Sequence, residues 1–291
     1  MTVLVTGATG NVGARAVREL RARGVPVRAF VRDPERAAEQ LGADVELAVG
    51  DLSDPASVAR AVAGAERVLL SAGDGPEKVR QETMVIDACA AAGVRLLVKV
   101  STVGADPASP LPPLAWHGEI EAHLRRAAVP AAVLRSSFHM TNLLMAAEPV
   151  RHDRALIAPA GDGAIAMLDP RDTGSAAAVV LTQDGHAGRT HELTGPEPVT
   201  YARVAAELSE ALGTPVAYVD APPESARAAL EAAGLPPWLV TQLDGVFALV
   251  RAGALGATTD GVRALTGRPP RGIAEFAREH AAAFGAAPAA V

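Results

Sequence analysis

The sequence predicts an α/β fold, a doubly wound parallel sheet with a smaller C-terminal α/β lobe, and three observations carry the prediction. Short β-branched or leucine-rich runs alternate with helical stretches at βα intervals through the first half. A glycine-rich turn joins the first strand to the first helix. Past residue 138 the alternation loosens into shorter strands and longer helices.

Thr2 to Thr6 reads as a buried strand, and Ala14 to Arg23 as a helix with Ala16, Val17 and Leu20 on one face. Between them Gly7, Gly10 and Gly13 stand three residues apart. Gly7 permits the tight turn off the strand, Gly10 lets the backbone approach a pyrophosphate, and Gly13 lets the helix pack close to the sheet. The unpaired N–H groups of the helix start, with Thr9, Asn11 and Val12 in the same turn, then face the phosphates, where the helix dipole favours negative charge. Strand, glycine turn and helix together open a Rossmann βαβ unit.

The following strands are Val27–Val31, Val45–Val49, Arg67–Ser71, Leu96–Val100 and Ala131–Leu134. The helices between them are Pro34–Leu41, Ser57–Val62, Lys78–Ala92 and Trp116–Ala128. Ligands of such sheets bind beyond the carboxyl ends of the strands. That edge receives the glycine turn, Arg32, Asp51, Leu52, Ser71, Ala72, Gly73, Ser101 and Thr102, and the stretch 136–138. Residues 1–138 form the nucleotide-binding domain on this reading, and 139–284 a substrate lobe partly interleaved with it. The lobe takes strands at 155–157, 164–167, 191–193 and 216–219 and helices at 170–182, 201–212, 225–233, 238–252 and 273–284. The Ala/Pro tail 285–291 is expected to fray.

Composition excludes several classes. A net charge of −6 without a basic stripe argues against nucleic acid. Cys89 is the sole cysteine, which rules out an intrachain disulfide and a cysteine-built metal site, and it reads as a small buried hydrophobe. The histidines lack ligand spacing, so no metal is expected. No apolar stretch reaches the roughly 18 residues of a membrane span. A cytoplasmic protein acting on a small molecule is expected, as a monomer or a homodimer.

The cofactor is read from the end of the second strand. A carboxylate there selects NAD by holding the ribose, while an arginine accommodates the 2′-phosphate of NADP. Val31-Arg32-Asp33 presents both signs, and Arg32, first past the strand, favours NADP(H). Asp51 and Leu52 are placed to contact the adenine, or Asp51 serves the start of the next helix.

Thr6-Gly-Ala-Thr-Gly-Asn-Val-Gly13, Gly50-Asp51-Leu52, Val98-Lys-Val-Ser-Thr102, Trp116-His-Gly-Glu-Ile-Glu121, Leu168-Asp-Pro-Arg-Asp-Thr173 and His191-Glu-Leu-Thr-Gly-Pro196 together resemble the NmrA-like group of atypical short-chain dehydrogenases. That group includes NAD(P)H-binding quinone oxidoreductases and isoflavone-reductase-like enzymes, and the resemblance runs from about Thr2 to Phe284. It implies a nucleotide-binding Rossmann fold and is less specific for reaction, because the group mixes reductases with nucleotide-sensing regulators.

One departure is informative. Short-chain dehydrogenases typically use a Tyr-x-x-x-Lys pair, and Pro113 stands where the tyrosine would, with His117 where the lysine would. His117 is then the candidate replacement, as a proton donor or as a hydrogen-bond partner of the nicotinamide ribose, or else it is a helix-start histidine exposed at the cleft rim. Its place at a helix start should hold it neutral. Ser101 and Thr102 are candidates to hydrogen-bond a substrate carbonyl, or form a satisfied turn closing the strand. Trp116, Phe138, His139 and Asn142 are the candidate substrate wall.

The expected function is NADPH-dependent hydride transfer to a quinone, ketone or conjugated carbonyl. Quinones need the least from a protein acid. The alternatives are a regulatory protein that senses NADP(H) without turnover, and a non-redox cyclase, epimerase or dehydratase on the same scaffold.

Overall fold

Val3, Leu4 and Val5 carry no polar residue among them, and in the computed structural model, which describes residues 1–286, they form a fully buried strand. Near-continuous apolar runs are what a parallel strand covered on both faces requires. In chain order the strands are β1 (Val3–Val5), β2 (Val27–Val31), β3 (Glu46–Val49), β4 (Arg67–Leu70), β5 (Leu96–Thr102), β6 (Ala131–Ser136), β7 (Ala155–Ala158), β8 (Ala164–Ile165), β9 (Thr190–Leu193), β10 (Val199–Thr200) and β11 (Ala217–Asp220). The helices are α1 (Asn11–Ala22), α2 (Pro34–Leu41), α3 (Pro55–Val62), α4 (Lys78–Ala91), α5 (Pro112–Arg126), α6 (Ala147–Asp153), α7 (Pro170–Val180), α8 (Tyr201–Leu212), α9 (Pro223–Ala232), α10 (Pro237–Arg251), α11 (Gly261–Thr266) and α12 (Ile273–Glu279). Single 3-10 segments cover Met140–Ala146 and Ala281–Phe284.

Two compact units result. The first comprises residues 1–136, 170–193 and 261–268. Its sheet has the order β3-β2-β1-β4-β5-β6-β9, parallel at every pairing. The strand order reverses between β1 and β4, the switch point at which doubly wound sheets bind ligands. On one face Val58 and Val62 of α3, Ile86 and Cys89 of α4, and Ile120 and Leu124 of α5 pack on Leu4, Val68 and Leu97. Cys89 is fully buried, and burial pushes its thiol up to about 12, so it is inert.

Helix α7 and strand β9 belong to this first unit, a difference from the grouping of 139–284. Every residue of α7 except Arg171 is buried, and a Cβ on Gly174 would stand 2.6 Å from the Val12 carbonyl oxygen of α1. Strand β9 extends the sheet from β6 in the register Val133↔Thr190.

The second unit holds residues 137–169, 194–260 and, among the described residues, 269–286. It contains a parallel pair, β7 with β11, and an antiparallel pair, β8 with β10. Leu156, Val204, Leu208, Phe276 and Phe284 are among its core. Of the tail expected to fray at 285–291, residues 287–291 lie outside the described residues. No helix among the described residues is long and apolar enough to cross a membrane.

Candidate functional site

The glycine turn sits at the switch point. Thr6 stitches β1 to β4, since its Oγ1 accepts from Ser71 N at 2.9 Å and lies 2.9 Å from the Ser71 carbonyl oxygen. Gly7 takes φ +58°, and a Cβ there would meet that same carbonyl oxygen at 2.5 Å. At Gly13 a Cβ would stand 2.2 Å from the Gly7 carbonyl oxygen, so this glycine admits the turn's own backbone rather than the sheet. Gly10 differs from both. It is exposed, and a Cβ there would meet only the Gly7 oxygen, at 3.2 Å.

Because Gly10 is the N-cap residue, no side chain caps α1. The N–H groups of Asn11, Val12 and Gly13 make no hydrogen bond among the described residues. Uncapped donors beside an open glycine fit the phosphates of a dinucleotide. Gln40 Nε2 donates to the Thr9 carbonyl at 2.9 Å, holding the outer side of the turn.

At the end of β2 the two signs separate. Asp33 caps α2, its carboxylate accepting from Arg36 N at 3.1 Å. Arg32 is exposed, which fits an arginine available to a 2′-phosphate. Asp51 does not cap α3. Asp54 does, accepting from Ala56 N and Ser57 N. The Asp51 carboxylate accepts from Ser53 N at 2.7 Å, which holds it below the usual range, with Arg32 contributing. Leu52 is half-buried against the α3–α4 side of the core.

Ser71, Ala72 and Gly73 open the loop between β4 and α4, and a charged cluster lies directly beneath it. Lys78 Nζ lies 2.9 Å from the Ala72 carbonyl oxygen, 2.9 Å from Glu82 Oε1 and 3.3 Å from Asp74 Oδ1. Lys99 Nζ lies 2.6 Å from Glu82 Oε2 and 3.1 Å from His117 Nδ1, and donates to the Val100 carbonyl. His117 Nε2 is 3.7 Å from Asp74 Oδ1. Lys78, Glu82 and Lys99 are all at most 2% exposed.

Burial works against each of these charges, and their partners decide the outcome. Glu82 stays below the usual carboxylate range because Lys99 and Lys78 flank it. Burial likewise opposes the Asp74 carboxylate, but His117 and Lys78 hold it low. Lys78 is raised by Glu82 and Asp74. Lys99 is pushed down to about 8 by burial despite Glu82.

His117 is neutral, pushed down to about 4 by burial and by the Lys99 charge. The helix start is not the reason. Helix α5 begins at Pro112, four residues earlier than the sequence suggests, with two prolines in its first turn. His117 therefore sits in the second turn. The unfolded imidazole protonates below about 6.5, whereas the buried ring refuses the proton until about 4. Stability should fall as pH drops through that window, by about 3 kcal/mol from this group. His117→Gln should flatten the fall of Tm between pH 6.5 and 4. His186 and His191, lowered by burial and nearby charge, leave a residual slope. An unchanged curve would remove His117 as the cause.

Ser101 is not available to a substrate carbonyl. Its hydroxyl is buried and donates to Glu121 Oε1 at 2.6 Å, and Glu121 also accepts two bonds from Arg135, at 3.1 and 2.7 Å. Residues 99 and 101 share one face of β5, and 117 and 121 lie one turn apart on α5. The two pairings, Lys99 with His117 and Ser101 with Glu121, form one ladder across the strand–helix interface. Thr102 is half-buried, with its hydroxyl 3.4 Å from the Val103 and Ser136 carbonyls, a strand-closing contact.

Trp116 is half-buried on α5 in the first unit. Phe138, His139 and Asn142 belong to the second. There Phe138 packs on the apolar core, His139 bridges to Leu168, and Asn142 is exposed after donating its backbone N–H to the His139 carbonyl. Among the described residues no group of three or more His, Cys, Asp or Glu could hold a metal. Sequence reasoning missed Asp74, Lys78, Glu82 and Lys99. The i, i+4 pair Lys78/Glu82 on a helix facing the sheet, and a lysine inside a buried strand, were the available signals.

The family model described as the NmrA-like family matches residues 1–253. An NAD(P)H azoreductase of Xenophilus azovorans is 36% identical over 285 residues, 98% of this chain and 100% of the relative. A (4-alkanoyl-5-oxo-2,5-dihydrofuran-3-yl)methyl phosphate reductase of Streptomyces griseus is 36% identical over 283 residues, 97% and 99% of the two chains. The solved structure of the NADPH-dependent quinone oxidoreductase of Escherichia coli in complex with NADPH superposes with a TM-score of 0.86, at 31% identity, over 95% of this chain and 99% of that one.

Proposed function

Since this chain belongs to the NmrA-like family, we infer that it is an NAD(P)H-dependent oxidoreductase that takes NADP(H) and reduces a small conjugated acceptor. The observation that carries the reading is near-full-length similarity to an azoreductase and a dihydrofuranone phosphate reductase at 36% identity each. Their names share a theme, an acceptor with a conjugated N=N or C=C–C=O system. Bound NADPH supplies the hydride.

The chain's own part is to bind and orient. The uncapped N–H groups of α1 hold the pyrophosphate, and Arg32 the 2′-phosphate. The loop 71–73 borders the same edge. Neutral His117 serves as a hydrogen-bond donor rather than a standing acid, and an acceptor whose reduced form is weakly basic suits that arrangement. Trp116, Phe138, His139 and Asn142 are the proposed substrate contacts, 139–284 the region that supplies most of the substrate lobe, and the cytoplasm the proposed location. Neither a nucleic acid nor a membrane is part of the reading.

The test follows NADPH absorbance with quinones, an azo dye and a butenolide. Turnover on at least one class is expected. Tight NADPH binding with no turnover on any of them would favour a nucleotide sensor instead. Arg32→Ala should weaken NADPH binding roughly tenfold or more while leaving NADH binding nearly unchanged. Equal losses for the two would remove Arg32 from the 2′-phosphate.

A further inference from the structure

The chain has 27 lysine and arginine residues, and Lys78 and Lys99 are the only lysines. Every other cation is an arginine. Both lysines are buried, 2% and 0% exposed, and both lie against the same carboxylate, Glu82. Chance placement on the surface, where lysines ordinarily sit, would not bring the two together in the interior.

Their coordination explains the choice of side chain. Lys78 Nζ faces three acceptors, Ala72 O, Glu82 Oε1 and Asp74 Oδ1, and Lys99 Nζ faces three more, Val100 O, Glu82 Oε2 and His117 Nδ1. An ammonium has three donors arranged around one nitrogen and no acceptor. A guanidinium spreads five donors over a planar fork and cannot place three of them about one point.

We infer that Lys78, Glu82 and Lys99 act as a positioning assembly that fixes His117 in its Nε2–H tautomer and ties the loop after β4 to α4. The tautomer follows from the donor count. Lys99 has no acceptor, so the contact at 3.1 Å requires a lone pair on His117 Nδ1. The single ring proton of the neutral imidazole then sits on Nε2, the nitrogen facing Asp74. The charged groups facing this ring are Lys99 on β5, Lys78 and Glu82 on α4, and Asp74 in the loop. Lys78 serves the second task, since it grips the loop at the Ala72 carbonyl and Asp74 while pairing with Glu82 one turn along its own helix.

The tautomer part is independent of the proposed function. Only its effect on turnover rests on that reading. The test is two-bond 1H–15N NMR of 15N-histidine-labelled protein without cofactor, with His117→Gln identifying the signal. Wild-type His117 should show the neutral Nε2–H pattern and should not titrate between pH 5.5 and 8. In Lys99→Met the ring loses its Nδ1 donor and a neighbouring charge, so Nδ1–H should become populated and the titration should enter that window. Glu82→Gln/Lys99→Met removes one charge of each sign, and it carries the same test if the single variant does not fold.

A wild-type Nδ1–H pattern, or titration near 6.5, overturns the proposal. So does either variant that retains the wild-type pattern. Release of the tautomer with unchanged kcat and KM upholds the positioning and removes His117 from turnover. Release with a fall in kcat upholds both.

Discussion

Glu82→Ala should lower the unfolding free energy by roughly 3–5 kcal/mol, the usual result of deleting one partner of a buried charge cluster. The carboxylate is 0% exposed and separates two ammonium groups at 2.9 and 2.6 Å. Without it, Lys78 and Lys99 face each other across a small void in low-dielectric surroundings. Lys78 retains Asp74, while Lys99 keeps only neutral acceptors, the Val100 carbonyl and His117. Urea unfolding at pH 7 measures the loss. A cost below about 1 kcal/mol, the scale of a surface ion pair, would mean that water reaches the cluster. Replacing Glu82 and both lysines together by methionine should cost far less than the single change, because no uncompensated charge remains.

Gly13→Ala should abolish tight NADPH binding, with a loss of at least roughly a hundredfold, about 2.7 kcal/mol. The new methyl would stand 2.2 Å from the Gly7 carbonyl oxygen, 2.8 Å from the Gly7 carbonyl carbon and 2.9 Å from Ala8 Cα. All three are backbone atoms, so no side chain can swing aside. The turn must open, and with it the row of N–H groups at the start of α1. The paired control is Gly10→Ala. Its methyl meets only one atom, at 3.2 Å, and φ at that position is −81°, which any residue adopts. It should unfold within about 0.5 kcal/mol of the parent yet bind NADPH poorly, because the proposed pyrophosphate contact needs the space it fills. Isothermal titration and thermal unfolding separate the two effects. Undiminished NADPH affinity in Gly10→Ala would place the pyrophosphate elsewhere.

The first unit was legible because its strands are what parallel strands must be. Leu4, Val68, Leu97 and their neighbours form unbroken apolar runs, and the glycine turn fixes where the first of them ends. Helix α7 and strand β9 were harder to place, since their partners Val12 and Val133 lie far away in sequence and short-range pattern carries no trace of such pairing. The start of α5 was hidden by Leu111-Pro112-Pro113, where prolines that read as a loop are the helix's first turn. That shift changed the physics assigned to His117, from a helix dipole to burial beside Lys99. Among the site residues, the glycines could be read from local chemistry. The Lys99–His117 and Ser101–Glu121 rungs could not, because each combines a strand's period of two with a helix's period near four across an intervening loop.

The path of the chain between its two units bears on how the molecule is made. The first unit is complete only when residues 170–193 and then 261–268 have been added to 1–136. During synthesis the nucleotide-binding sheet therefore lacks its last strand until residue 193 has left the ribosome, and the unit lacks its last helix until residue 268 has. Until residues 170–193 have emerged, β6 is a bare parallel edge and the α7-facing surface of α1, around Val12 and Arg15, lacks its cover. Contacts this distant in sequence slow folding and lengthen the exposure of such an edge. A fragment ending at residue 138 would keep the glycine turn but be left in that unfinished state.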